Sequence, residues 1–171
     1  MRRAYYRKYV YHTLLCFISA LLYLWQNSIN AFPEIAGFRA LPLIPFIVCI
    51  TVFNPETAGI IYGVVAGLVM DISWSRTSGF NALTLFVICT VLGLLIRFLF
   101  TRSLASVLML SGIICLVYFL IYWLCFCVFA GLKETAYCLF SIYLPMAVYT
   151  WVFTIPSYFL VGFMTNKFRN D

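Results

Sequence analysis

Charge is scarce in this chain. Only 9% of its 171 residues are Asp, Glu, Lys or Arg, against roughly 25% in a soluble domain. So few charges cannot cover a water-facing globule, and 65% of the chain is hydrophobic, with a mean hydropathy of +1.04. Acid is scarcer still, limited to Glu34, Glu56, Asp71, Glu134 and Asp171. A proton or ion path needs ionisable groups deep in the bilayer. Only Glu56 and Asp71 are candidates for that, and both lie at the ends of apolar runs. His12 is the single histidine. The chain lacks a phosphate-binding glycine loop, a His/Glu metal pair and a nucleophile elbow. Its polar connections are a few residues long, which leaves no extramembrane domain to hold an active site. Low-complexity segments and a clear repeat period are also missing, so residues 1–171 read as one polytopic domain.

Long apolar runs are what the chain has instead. A membrane-crossing helix needs about 20 mostly apolar residues. The runs at 9–25, 36–53, 56–70, 80–100, 104–130 and 138–164 predict six transmembrane helices in an all-α integral membrane protein. Transmembrane strands would alternate polar and apolar residues over about 10 positions, and these runs do not alternate. Pro42, Pro45, Pro145 and Pro156 fall within the runs, which neighbouring helices in a membrane can tolerate. Asn54 and Pro55 alone separate the second run from the third, predicting a tight helical hairpin. A five-span reading that fuses part of this region is the alternative.

With six spans, one side of the membrane carries Arg2, Arg3, Arg7, Lys8, Arg97, Arg102, Lys167 and Arg169. The other carries Arg39, Arg76 and Lys133. Basic residues favour the cytoplasmic side, so both termini are expected there. Topology and anionic headgroups account for the net charge of +6 without nucleic acid. The N-terminal stretch has the basic start of a signal peptide. Its apolar run is too long and lacks a small-x-small cleavage site, so it reads as a retained first helix. Tyr5, Tyr6, Tyr9 and Tyr11 suit one interface and Trp25 the other. The seven cysteines all fall within or at the edge of spans. Cys125 and Cys127, two apart on a helix, point apart, and the set reads as apolar packing rather than a metal or redox site.

One stretch stands out. In "GIIYGVVAGLVMD", Gly59, Gly63, Gly67 and Asp71 follow one another at intervals of four. They trace a slowly winding stripe on one helix, widened by Ala58 and Ala66. Glycines let helix backbones approach closely in lipid. For Gly59 and Gly63, packing within the chain is favoured over docking of a partner helix. Asp71 is open to three structural uses: capping the outer loop, accepting backbone N–H groups, or pairing with Arg76. A partner or ligand contact is the alternative. Gly79 and Asn81 suit a turn into the next helix.

The segment "GIIYGVVAGLVMDISWSRTSGFNAL" resembles the signature of the MreD family of rod shape-determining proteins. That signature is a glycine-spaced helix ending in Gly-Leu-x-x-Asp, a short loop with a glycine eight residues after the Asp, then a small or polar residue and Leu. The matching residues are Gly67, Leu68, Asp71, Gly79, Ala82 and Leu83. Ser78 stands where the family usually has leucine. The resemblance implies a non-catalytic protein of the bacterial inner membrane that needs no cofactor. It implies an association with the bitopic protein MreC and, through the complex, with MreB, RodA and a class B penicillin-binding transpeptidase. It also implies a fold like that of the substrate-binding subunits of energy-coupling factor vitamin transporters. Such a subunit is the alternative function, although "LLCFISALLYL" lacks the Ala-x-x-x-Ala pair expected for coupling. Gly59, Gly63, Gly67, Asp71, Arg76 and Gly79 are the candidate partner-binding or packing residues.

Overall fold

The computed structural model describes residues 2–28, 40–54, 56–73, 79–98, 103–129, 131 and 135–169. Every element among them is helical. Helix α1 (Arg2–Asn27) is followed by α2 (Leu43–Phe53), α3 (Glu56–Ser73) and α4 (Phe80–Phe98). Helix α5 (Leu104–Trp123) runs on into a π-helical turn, Leu124–Val128. The short α6 (Thr135–Cys138) leads through a second π turn, Leu139–Tyr143, into α7 (Leu144–Val152) and α8 (Thr154–Arg169). Among the described residues three stretches are long and apolar enough to cross a membrane: Tyr9–Asn27, Leu104–Val128 and Thr135–Phe168. The apolar helices of the α2–α4 region are shorter.

Proline placement explains the breaks in the last stretch. A proline has no N–H to give, and its ring clashes with the carbonyl four residues back. Pro145 is the second residue of α7, just after the π turn, and Pro156 lies in the first turn of α8. As one straight helix the 34 residues of Thr135–Phe168 would reach roughly 50 Å, well beyond a hydrocarbon core of about 30 Å. The breaks divide that length into packable segments.

Helix α2 differs most from a lipid-facing span. Its 11 residues include ten that are buried, from Leu43 to Val52. A helix that is apolar all round suits either a protein core or lipid, and here α2 is enclosed by protein, packing against α1, α3, α4, α5, α7 and α8. The expected second span began at residue 36, and residues 36–39 and Pro55 of the hairpin lie outside the described residues.

Among the described residues two apolar clusters follow one another along the bundle. One joins Tyr11 and Leu15 of α1, Ile50 of α2, Val107 of α5 and Val161 and Met164 of α8. At this end buried polar groups pair with one another. Asn54 Nδ2 donates to the Tyr11 hydroxyl at 2.9 Å, and that hydroxyl lies 3.0 Å from Thr165 Oγ1. The other cluster joins Met70 of α3, Leu85 of α4, and Tyr118 and Tyr122 of α5, with Phe80, Phe126 and Tyr143 packed against it. The ends of α1 and α8 that carry most of the basic residues therefore meet at one end. Asp71 lies at the other.

Candidate functional site

Helices α3 and α4 form a hairpin held by the glycine stripe. A Cβ on Gly59 would lie 2.6 Å from the Thr51 side chain of α2. On Gly63 it would lie 2.6 Å from Cys89 Sγ and 3.3 Å from the Leu85 carbonyl of α4. On Gly67 it would run into backbone, 2.7 Å from both the Ala82 nitrogen and the Asn81 carbonyl oxygen. All three glycines thus face helices of the same chain, and at Gly67 the two backbones are too close for any side chain.

That close approach positions Asp71 one turn further along α3. The first N–H groups of a helix have no partner within it, and its N-terminus attracts negative charge. Asp71 serves both needs for α4. Its Oδ1 accepts from the Asn81 N–H and its Oδ2 from the Ala82 N–H, each at 3.0 Å. Asp71 is 9% exposed. The carboxylate therefore acts as an N-cap delivered from the preceding helix. Gly79 makes the turn possible: its φ of +81° lies in the region that side chains disfavour. Arg76, the expected salt-bridge partner of Asp71, lies outside the described residues.

The network continues into α5. The Tyr118 hydroxyl donates to Asn81 Oδ1 at 2.7 Å, and both side chains are buried. One end of the bundle is thus pinned through Asp71, the start of α4, Asn81 and Tyr118. The sequence pointed to Asp71 and to Asn81 as a turn residue, but not to Tyr118. The signal for Tyr118 was its hydroxyl, since a buried tyrosine inside an apolar run needs a hydrogen-bond partner.

The outward face of the hairpin is different. Leu68 is 50% exposed, Leu83 66% and Ile72 82%. Elsewhere, α5 and α7 border an apolar groove of about 330 Å³, with Gly112 and Ala147 among its lining residues and Trp151 beside them. Trp151 Nε1 donates to the Leu108 carbonyl at 2.8 Å. Among the described residues no group of three or more His, Cys, Asp or Glu could hold a metal ion.

No curated protein and no solved structure matches the chain. The sequence profile of the rod shape-determining protein MreD matches residues 7–168. That range takes in the glycine-braced hairpin and all of the other helices described above except the first residues of α1 and the last of α8. The motif that first suggested the likeness is therefore one part of a match along nearly the whole chain, and the chain belongs to the MreD family of rod shape-determining proteins.

Proposed function

We propose that this protein is a non-catalytic scaffold of the cell-elongation machinery in the bacterial inner membrane, and that it holds an MreC-like bitopic partner. Family membership supports the role in rod shape. Six spans with both termini cytoplasmic, arranged as in energy-coupling factor substrate-binding subunits, is the topology that goes with this reading. Through MreC the scaffold would engage MreB, RodA and the transpeptidase in support of lateral peptidoglycan synthesis.

One observation supports a particular partner surface in this reading. The six signature residues divide by environment. Gly67, Asp71 and Ala82 build the inside of the hairpin, where the Asp71 carboxylate accepts two backbone N–H groups, and Gly79, itself exposed, makes the turn into α4. Leu68 and Leu83 are half exposed or more and face outward. Those four residues shape the hairpin, and the two leucines are left to meet whatever lies alongside it. In this reading the partner's transmembrane helix runs along the outward face of α3, where Ile61, Val65, Leu68 and Ile72 form an exposed stripe. Asp71 then contributes by shaping the hairpin rather than by touching MreC.

The test is a photo-crosslinking amino acid placed singly at Leu68, Leu83 or Phe159, the last on α8 with an exposure between those of the two leucines. Adducts with MreC are expected from the first two positions and not from Phe159. Adducts from Phe159 alone would move the surface elsewhere. No MreC adduct from any exposed helix face, together with stabilisation by a vitamin, would replace the scaffold reading with the transporter-subunit one.

A further inference from the structure

We propose that the end of the bundle where α1 meets α8 is a binding surface for the headgroups of anionic phospholipids. The charge distribution is the first support. Arg2, Arg3, Arg7 and Lys8 occupy the first two turns of α1, Arg97 the last turn of α4, and Lys167 and Arg169 the last turn of α8. Glu56, at the start of α3, is the one acidic residue among the described residues at that end. Asp71 is the one charged residue among the described residues at the other end.

Geometry supplies the second support. The buried contact between Tyr11 and Thr165, at 3.0 Å, locks α1 to α8 at this end. Arg7 lies one turn before Tyr11 and Arg169 one turn after Thr165. The seam between the two helices therefore continues into a pair of arginine positions. Basic residues gathered around one seam suit a group that carries its own negative charge.

Lys167 identifies the source of that charge as lipid. Its Nζ lies 5.7 Å from the ring centroid of Phe163, one turn back along α8. Phe163 is 68% exposed on an apolar helix surface, so its ring faces hydrocarbon. The Lys167 stem thus lies along apolar helix surface with its ammonium held close to the ring, as suits a charge at the border of hydrocarbon and headgroups. Tyr6 and Tyr9, also exposed on α1, suit the same depth. A phospholipid phosphate reaches this level with its acyl chains alongside Phe163, whereas a soluble phosphate gains nothing from the ring.

Each basic residue near an anionic membrane surface strengthens binding about fivefold. The test follows thermal unfolding of the purified full chain in neutral detergent. Phosphatidylglycerol, phosphatidylcholine and soluble glycerol phosphate are titrated in turn at matched ionic strength. Phosphatidylglycerol is expected to raise the unfolding midpoint well above the effect of phosphatidylcholine, with the excess shrinking in high salt and no response to glycerol phosphate. Arg7→Gln combined with Lys167→Gln should weaken the apparent phosphatidylglycerol affinity at least tenfold. Lys133→Gln, in the connection between α5 and α6, should leave it unchanged. Equal responses to the two lipids would overturn the proposal. So would a double variant that keeps the full preference, or a glycerol phosphate effect that matches the lipid. If the double variant does not fold, native mass spectra of the unaltered chain decide: preferential retention of phosphatidylglycerol supports the proposal, and equal retention refutes it.

Discussion

At the residue scale, Asp71 shows how one carboxylate can organise a membrane hairpin. Buried N–H groups that lose their partner cost about 1–3 kcal/mol each, and Asp71 satisfies two. Asp71→Ala should therefore lower the unfolding midpoint in detergent and the amount of protein in the membrane. Asp71→Asn, which keeps one acceptor oxygen, should fall between the variant and the parent. Equal stability of all three would mean that the carboxylate caps nothing. Tyr118→Phe removes one neutral hydrogen bond without changing the packing, for a loss of about 1 kcal/mol. Its effect should shrink when Asn81 is replaced by alanine, because the Tyr118 hydroxyl would then have lost its acceptor already. The sequence left the role of Asp71 open for a physical reason. A carboxylate at a helix end suits a backbone N–H, an arginine or a partner equally well. The choice depends on how near α4 comes, and Gly67 sets that distance across the fold.

At the element scale, the glycine stripe grades by what each glycine touches. Overpacking costs typically about 1–3 kcal/mol. At Gly63 the nearest obstacle is the Cys89 thiol, whereas at Gly67 it is the backbone of α4. Gly67→Ala should thus destabilise more than Gly63→Ala, and Leu68→Ala, on the exposed face, should change thermal stability little. A Gly67→Ala protein as stable as the parent in detergent would show that the helices do not meet there. The four-residue spacing made this face visible in sequence, and the hairpin of α3 and α4 follows from it. The burial of α2 was not visible, because Leu43–Phe53 is apolar on every side whether lipid or protein surrounds it. For the same reason the π turns at Leu124–Val128 and Leu139–Tyr143 gave no warning within their apolar runs, although Pro145 marked where the second one ends.

At the scale of the whole molecule, the two ends of the bundle differ in kind. One is basic and tied together by Tyr11, Asn54 and Thr165, and the other is braced through Asp71, Asn81 and Tyr118. The positive-inside bias predicts that the basic end faces the cytoplasm. A single cysteine at Ser75 in a cysteine-free background should then react with an impermeant thiol reagent from the periplasmic side. Labelling from the cytoplasmic side alone would invert the topology. The central claim is that this chain serves rod shape by holding an MreC-like protein. Its most direct test is quantitative affinity purification of the tagged chain from gently solubilised membranes, with MreC measured per unit of bait. The account predicts near-stoichiometric MreC with the parent chain, and a several-fold loss at unchanged bait level when Leu68 and Leu83 are both replaced by alanine. MreC recovery no greater than with an unrelated polytopic bait would contradict it.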